Sequence, residues 1–456
     1  MRKRNIIVCL LFCVMFIGGC SSFPNWYDVM GAIGSWGIPE NKLTLEQRTV
    51  FFNHRSVDKV IDMARIIETK DPAYNNIKVI IMKGSPYEMG FQNGYLNKED
   101  IQKNVYHVLG VVLAFGKYLG VDESALDEVW DLMSPYIPLE DKEEMRGLAH
   151  GSDIPLIVIQ RFNAIPELSE YGGKKQFIGK KYKKTKLEKG SLFDPDLKTC
   201  SGVIAFGDAT KNGEIYHLRS LDWIRELGAQ RYPVIHVYQP DEGYSSASFS
   251  YAGFTGCITG MNEKYMAFGE MGYGNLKFET LEGVPFVFLF KKLLREAGSI
   301  QEAVRIVKES QRTCSYVYQF SGTSQDLGVS GIMMVSDYQR FDILFDNQEF
   351  YDEGDEIWYK GINDIIFAGH ETGELREFMM KHYGEHDLKS FKELAKVAAM
   401  RGNVQDVIMK PETLEAWMVN ASNTTKDEKG KACNQQWYYF NFGEIIGNKL
   451  EVKKYK

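Results

Sequence analysis

The chain reads as an α+β protein in which two stacked antiparallel sheets carry helices on their outer faces. Three observations predict this. Residues 21 to about 171 show helical periodicity, residues 200 to about 271 break into short strands between turn signals, and helices and strands both return after residue 284. Helix, consecutive strands, helix and strands again give a layered arrangement, because each sheet must bury a face and each helix a stripe.

The first residues read as a leader. Arg2, Lys3 and Arg4 are basic, Ile6 to Ile17 is an apolar run of 12 residues, and Gly18, Gly19 and Cys20 follow. A bilayer span takes about 20 residues, so the run fits a signal core better than a membrane helix. Ile17-Gly18-Gly19-Cys20 resembles a bacterial lipobox. The resemblance implies removal of residues 1–19, lipidation of Cys20, and a chain anchored to a membrane of the bacterial cell envelope. The plainer alternative is a secretory leader with an incidental cysteine.

Residues 20–199 form an N-terminal segment. Leu43 to Ile67 has helix-forming content, and Asn76 to Lys83 is short and β-branched, which predicts a strand. Ser85-Pro86-Tyr87-Glu88 then matches a capping box, with Ser85 as N-cap, Pro86 at the first helical position and Glu88 reaching back. Glu99 to Leu119 repeats apolar residues at helical spacing. Residues 172–198 differ in composition. They hold nine lysines and few large apolar residues, which predicts an exposed linker.

Residues 200–456 turn β-rich. Strands are predicted at Cys200 to Phe206, Glu214 to Asp222, Pro233 to Tyr238, Tyr244 to Ala252, Cys257 to Met261 and Tyr265 to Glu270. Asn212-Gly213 and Asp241-Glu242-Gly243 mark turns. Helices are predicted at Val284 to Ala297, Ile300 to Ser310, Gly373 to His382 and Leu388 to Ala399. The remaining strands are Ser330 to Val335, Phe341 to Phe345, Val407 to Met409, Leu414 to Val419 and Trp437 to Phe442. The two segments together read as one domain.

Net charge is −7, and losing Arg2, Lys3 and Arg4 with the leader takes it to −10. That balance argues against nucleic acid, which rewards basic surfaces. Cys200, Cys257, Cys314 and Cys433 are scattered, with no zinc-ligand spacing, so neither metal nor cofactor is expected. An exported chain could join two of these four in a disulfide.

Thr199-Cys200-Ser201-Gly202 opens the first predicted strand of the second segment, and Arg219-Ser220-Leu221-Asp222-Trp223 closes the next. Cleavage between Thr199 and Cys200 would leave one residue bearing both a thiol and an α-amine. An α-amine titrates near about 7.7–8.0, so it can take the thiol proton without a histidine. Arg219 could raise the thiolate fraction, and Asp222 could orient the amine by accepting its hydrogen bond. A two-residue turn at Asn212-Gly213 would set Cys200 opposite Arg225, whereas a loop over Asp208 to Gly213 would set it opposite Leu221 with Asp222 next along. The longer loop serves the chemistry. The plainer reading is a small buried cysteine beside a surface ion pair. His370 offers a papain-like dyad partner, but the residues that flank such a cysteine are missing.

The stretch Cys200-Ser201-Gly202-Val203, Asn212-Gly213-Glu214-Ile215-Tyr216 and Arg219 to Trp223 resembles the start of the catalytic chain of cysteine N-terminal-nucleophile (Ntn) amidohydrolases. It is most similar to the acyl-coenzyme A:6-aminopenicillanate acyltransferase-like family (peptidase family C45). Bile-salt hydrolases and penicillin V acylases share the arginine-to-tryptophan element. Upstream, Gly84 to Gly94 resembles the family's glycine-rich helix start, and Glu144, Gly147, Ala149, Gly151, Asn163, Glu167 and Leu168 resemble its second block. Downstream, Gly260-Met261-Asn262-Glu263-Lys264 resembles a family turn.

The resemblance implies an αββα sandwich, autocatalytic cleavage before Cys200, and attack on N-acyl amide bonds of a small-molecule substrate. Cys200 would be the nucleophile, Arg219 and Asp222 its partners, and Asn262 an oxyanion donor; the plainer reading of Asn262 is a β-turn residue. Tyr265, the run Ala368-Gly369-His370 and Gln405 depart from the family pattern. These departures motivate one alternative, a binding lipoprotein on the same scaffold. Another is an N-acyl lipid or ceramide-type amidase of the same class.

Overall fold

The computed structural model describes residues 55–447 apart from 70, 72, 73, 75, 120, 121, 172–199, 274–277, 325, 353–355 and 426. The leader, Cys20, the lysine-rich linker and Thr199 lie outside the described residues, as does most of the helical stretch expected before residue 55.

Seventeen strands and eleven α-helices are described. The helices are α1 Val57–Asp62, α2 Pro86–Leu96, α3 Lys98–Leu119, α4 Glu123–Met133, α5 Leu139–Ser152, α6 Leu156–Glu170, α7 Phe286–Glu296, α8 Ile300–Glu309, α9 Thr372–Lys381, α10 Leu388–Ala398 and α11 Phe442–Ile446. The strands are β1 Arg65–Glu68, β2 Lys78–Gly84, β3 Cys200–Gly207, β4 Gly213–Asp222, β5 Pro233–Pro240, β6 Ser246–Tyr251, β7 Thr259–Asn262, β8 Met266–Gly272, β9 Tyr316–Gly322, β10 Gly331–Ser336, β11 Phe341–Leu344, β12 Phe350–Asp352, β13 Ile357–Tyr359, β14 Ile365–Gly369, β15 Asn403–Lys410, β16 Glu415–Asn420 and β17 Tyr438–Asn441.

A nine-stranded sheet runs β1-β2-β5-β6-β7-β8-β9-β10-β11, and a six-stranded sheet runs β14-β3-β4-β15-β16-β17. Every pairing is antiparallel except β2 with β5. β2 comes from the N-terminal segment and lies between β1 and β5. β3 and β4 pack face to face on β8 and β9. Helices α2, α7 and α8 pack on the nine-stranded sheet, while α9 and α10 pack on the other. The result is the expected helix-sheet-sheet-helix sandwich.

Val203, Ile204, Leu218, Phe268, Phe320 and Met333 belong to one hydrophobic core, in which Phe268 and Phe320 pack on Phe290 of α7. Gly202 makes the close approach possible. A Cβ there would stand 2.2 Å from Gln319 Oε1, whose Nε2 donates to the Gly202 carbonyl at 3.1 Å.

The glycine-rich motifs form a helix contact. A Cβ on Gly90 of α2 would lie 2.0 Å from the Glu144 carbonyl oxygen, and one on Gly147 of α5 would lie 2.0 Å from that of Tyr87. Gly94 and Gly151 repeat the contact one turn later. The remaining motif residues tie this layer to the sheet. Glu144 accepts from the Tyr238 hydroxyl at 2.9 Å. Asn163 accepts from the Thr255 amide at 3.0 Å. Glu167 accepts from the Phe286 amide at 3.0 Å. The capping box at Ser85 and Glu88 forms as expected.

Several strands were not anticipated, the β12–β13 hairpin among them. Arg65–Glu68 is an edge strand, where helical content extended to Ile67. β9 and β14 carry no sequence signal of alternation, because β9 is buried on both faces and all but one residue of β14 is buried.

Candidate active site

Cys200 is the first residue of β3 and pairs across with Leu221 of β4. This is the longer-loop register. The strands join through residues 208–212, and a bulge between Ala205 and Gly207 absorbs the odd residue. The register sets Arg219 opposite Gly202, on the face that carries Cys200. With no side chain at Gly202, the guanidinium extends to the thiol, and Arg219 Nη2 lies 3.0 Å from Cys200 Sγ. The same guanidinium donates to the Glu270 backbone carbonyl at 2.9 Å and lies 3.4 Å from Glu270 Oε2. Gly269 lets it pass, since a Cβ there would sit 3.1 Å from Arg219 Cγ.

Asp222 ends β4, 2% exposed. Its Oδ1 accepts from the Met400 amide at 2.8 Å, and among the described residues its Oδ2 has no hydrogen-bond partner. Arg219 Nη1 and the Tyr251 hydroxyl are likewise buried and unpartnered. Cys200, Arg219, Asp222, Glu270 and Tyr251 line one pocket together with Glu170. Its walls are otherwise apolar and include Val108, Phe162, Ile165, Trp223, Phe254 and Phe286.

Burial sets the electrostatics. It pushes the Cys200 thiol up to about 12, with Arg219 pulling it down and Glu270 and Asp222 adding to the rise. It pushes Glu270 up to about 8 against the opposing pull of Arg219. It also raises Asp222, helped by Asp406 and opposed by the Met400 amide and Arg219.

The other candidates lie elsewhere. Asn262 is fully buried, but it is absent from the pocket wall. Its Nδ2 donates to the carbonyls of Leu294 at 3.1 Å and Ala297 at 2.7 Å, and its Oδ1 accepts from the Lys264 amide at 3.1 Å. Asn262 thus lies apart from the Cys200 pocket in this structure. Both donors of this side chain and one acceptor position are used by the end of α7 and the β7–β8 turn. His370 donates its amide to the Ser201 hydroxyl at 3.2 Å, while its ring pairs with Glu371 at 2.9 Å. Gln405 hydrogen-bonds Asn420 at 3.3 Å. Cys257, Cys314 and Cys433 are buried free thiols. Among the described residues, no His, Cys, Asp and Glu group could hold a metal, and no helix is long and apolar enough to cross a membrane.

Glu270 is the site residue that the sequence reading missed. Its signal was a lone carboxylate inside Met266–Gly272, a strand whose other buried residues are apolar or glycine. A charge in such a strand requires a partner. Tyr251 and Glu170 carried no comparable signal.

The part of the site on β4, β6 and β8 has a counterpart among known proteins. Residues 209–343 match the family model of acyl-coenzyme A:6-aminopenicillanic acid acyl-transferase. The match bears out the resemblance read in the sequence, and it spans Arg219, Asp222, Asn262 and Glu270. Protein dcd1A of Dictyostelium discoideum is 28% identical over 304 residues, which cover 61% of this chain and 62% of that protein. Protein dcd1B of the same organism is 25% identical over 306 residues, or 62% of this chain and 55% of that one. The chain thus spans little more than half the length of these curated relatives. Among solved structures, it is similar to a Caenorhabditis elegans N-acylethanolamine-hydrolyzing acid amidase ortholog, at 11% identity and a TM-score of 0.36. That alignment covers 53% of this chain and 100% of the other. Penicillin V acylase from Agrobacterium tumefaciens aligns over 53% of this chain and 86% of its own, at 11% identity and a TM-score of 0.32.

Proposed function

We propose that the chain is a self-processing cysteine amidohydrolase or acyltransferase that acts on N-acyl amides and is tethered to a membrane through Cys20. The observation that carries this reading is the grouping of Cys200 Sγ, Arg219 Nη2 at 3.0 Å and the unpartnered Asp222 Oδ2 in one pocket.

Cleavage begins with attack of the Cys200 thiol on the Thr199 carbonyl. The acyl group moves from nitrogen to sulfur, and water releases it. The freed amine of Cys200 sits at the end of β3, where Asp222 Oδ2 accepts its hydrogen bond. Unprotonated, it takes the thiol proton; Arg219 stabilises the thiolate that forms. The thiolate then adds to the amide carbonyl of the substrate. Arg219 Nη1 is the donor available to the developing oxyanion, in place of Asn262. The α-ammonium protonates the leaving amine, leaving a thioester on Cys200, and water or a second amine completes the turnover. The apolar walls suit an apolar acyl group, which favours the lipid-amidase form of the reading.

The test is a series of fluorogenic N-acyl amides from acetyl to palmitoyl. The wild-type protein should release the amine, fastest with the longer chains, and Cys200→Ala should release none. Silence across the whole series would leave a scaffold that only binds.

A further inference from the structure

We propose that a second cavity, at the far end of α7, binds an organic cation with at least two ammonium groups, a diamine or polyamine. The cavity has a volume of about 500 Å³ and shares no lining residue with the Cys200 pocket. It lies where the N-terminal turns of α2 and α5 meet the β5–β6 turn and the last turn of α7.

Asp141 in its wall is 1% exposed, and among the described residues neither of its carboxylate oxygens has a hydrogen-bond partner. The nearest cation, Arg295, keeps its Nη1 3.6 Å from Oδ1 and turns Nη2 toward Glu296 at 3.4 Å. A buried carboxylate without donors is costly, and a ligand that supplies them removes the cost. Glu144 beside it is already satisfied by Tyr238 and by Lys291 at 2.8 Å.

Charge selects the class of ligand. Glu140, Asp241, Glu242 and Glu296 line the exposed rim. With Asp141 and Glu144 they make six carboxylates, against Lys291, Arg295 and the Arg55 that stands 3.6 Å from Asp241. Anions are repelled. The carboxylates are too dispersed for a metal ion, because no ligating group of three occurs among the described residues. An extended cation fits, with one ammonium on Asp141 and another on the rim. Lys291 Nζ already covers the face of the Tyr238 ring, 3.3 Å from its centroid, which leaves Asp141 and the rim for the ligand.

The test is calorimetric titration of the full chain with spermidine, with magnesium chloride as a competitor. Spermidine should bind saturably and resist displacement by magnesium at equal concentration. Asp141→Asn should weaken it by about tenfold or more, as expected for loss of a charge-assisted hydrogen bond. Glu242→Gln, on the exposed rim, should weaken it by a smaller factor without disturbing the fold. Absence of saturable binding, equal affinity for magnesium, or unchanged affinity in both variants would overturn the proposal. None of these outcomes depends on amide hydrolysis, so they stand apart from the reading of Cys200.

Discussion

Arg219 bridges the Cys200 thiol and the Glu270 carboxylate, with Nη2 3.0 Å from Sγ and 3.4 Å from Oε2. One buried cation therefore serves a nucleophile and a carboxylate at once. Replacing it leaves the thiol with burial and the nearby carboxylates Glu270 and Asp222, all of which push it up. Arg219→Gln should slow alkylation of Cys200 by iodoacetamide about tenfold or more, because the thiolate is the reacting form. The measurement is the alkylation rate of native protein at pH 8, read by mass. An unchanged rate would separate Arg219 from the thiol.

Glu270 makes a stability prediction with a definite sign. Its carboxyl is pushed up to about 8 and that of Asp406 to about 7, both mainly by burial. Unfolded carboxylates titrate near about 4. Between those values the folded chain holds protons that the unfolded chain has released, so stability falls as pH rises through the window. His217 and His236, pushed down to about 3 by burial, act in the opposite sense and only below about 6.5. Above that pH the carboxylates alone remain. The urea midpoint should therefore fall between pH 6.5 and 8, and Glu270→Gln should flatten the fall. A midpoint that climbs over that interval would contradict the assignment.

The sequence carried the layered fold, because turn chemistry and strand alternation are local properties, but it left the register of Cys200 open between Arg225 and Leu221, and only the chemistry favoured Leu221. The two-residue-turn alternative fails because Gly207 pairs with Gly213, so that residues 208–212 form the connection. Local signals did not reveal β9, which is buried on both faces, or Glu270, whose partner lies on the other sheet. They left two readings of Asn262 open, because a turn motif and an oxyanion motif look the same in one dimension. The glycine blocks were legible as a resemblance, but their physical role needed the helix pair to be seen.

Asn262 spends its side chain on three core hydrogen bonds. Asn262→Ala should cost about 2–4 kcal/mol of stability, since each lost buried bond leaves a partner unpaired. Its effect on kcat at a temperature where the variant is folded should be small. Chemical denaturation and single-turnover kinetics on the same sample separate the two. A large loss of kcat with intact stability would return Asn262 to the site.

Gly147→Ala drives a methyl group into the backbone of α2, with a Cβ only 2.0 Å from the Tyr87 carbonyl oxygen. Overpacking of this kind typically costs about 1–3 kcal/mol, and backbone leaves little room to relax. The thermal midpoint should drop by several degrees while the Cys200 alkylation rate stays near wild type. A variant as stable as the parent would show that the helices are farther apart than described.

The central claim is that one peptide bond is cut to make an enzyme, and intact mass spectrometry of the purified protein tests it most directly. Scission before Cys200 predicts a polypeptide of 257 residues beginning at that cysteine, paired with one of 180 residues if the leader is removed before Cys20. Cys200→Ala should remain one chain. A wild-type protein that stays a single polypeptide under native folding conditions, with no species beginning at residue 200, would contradict the account.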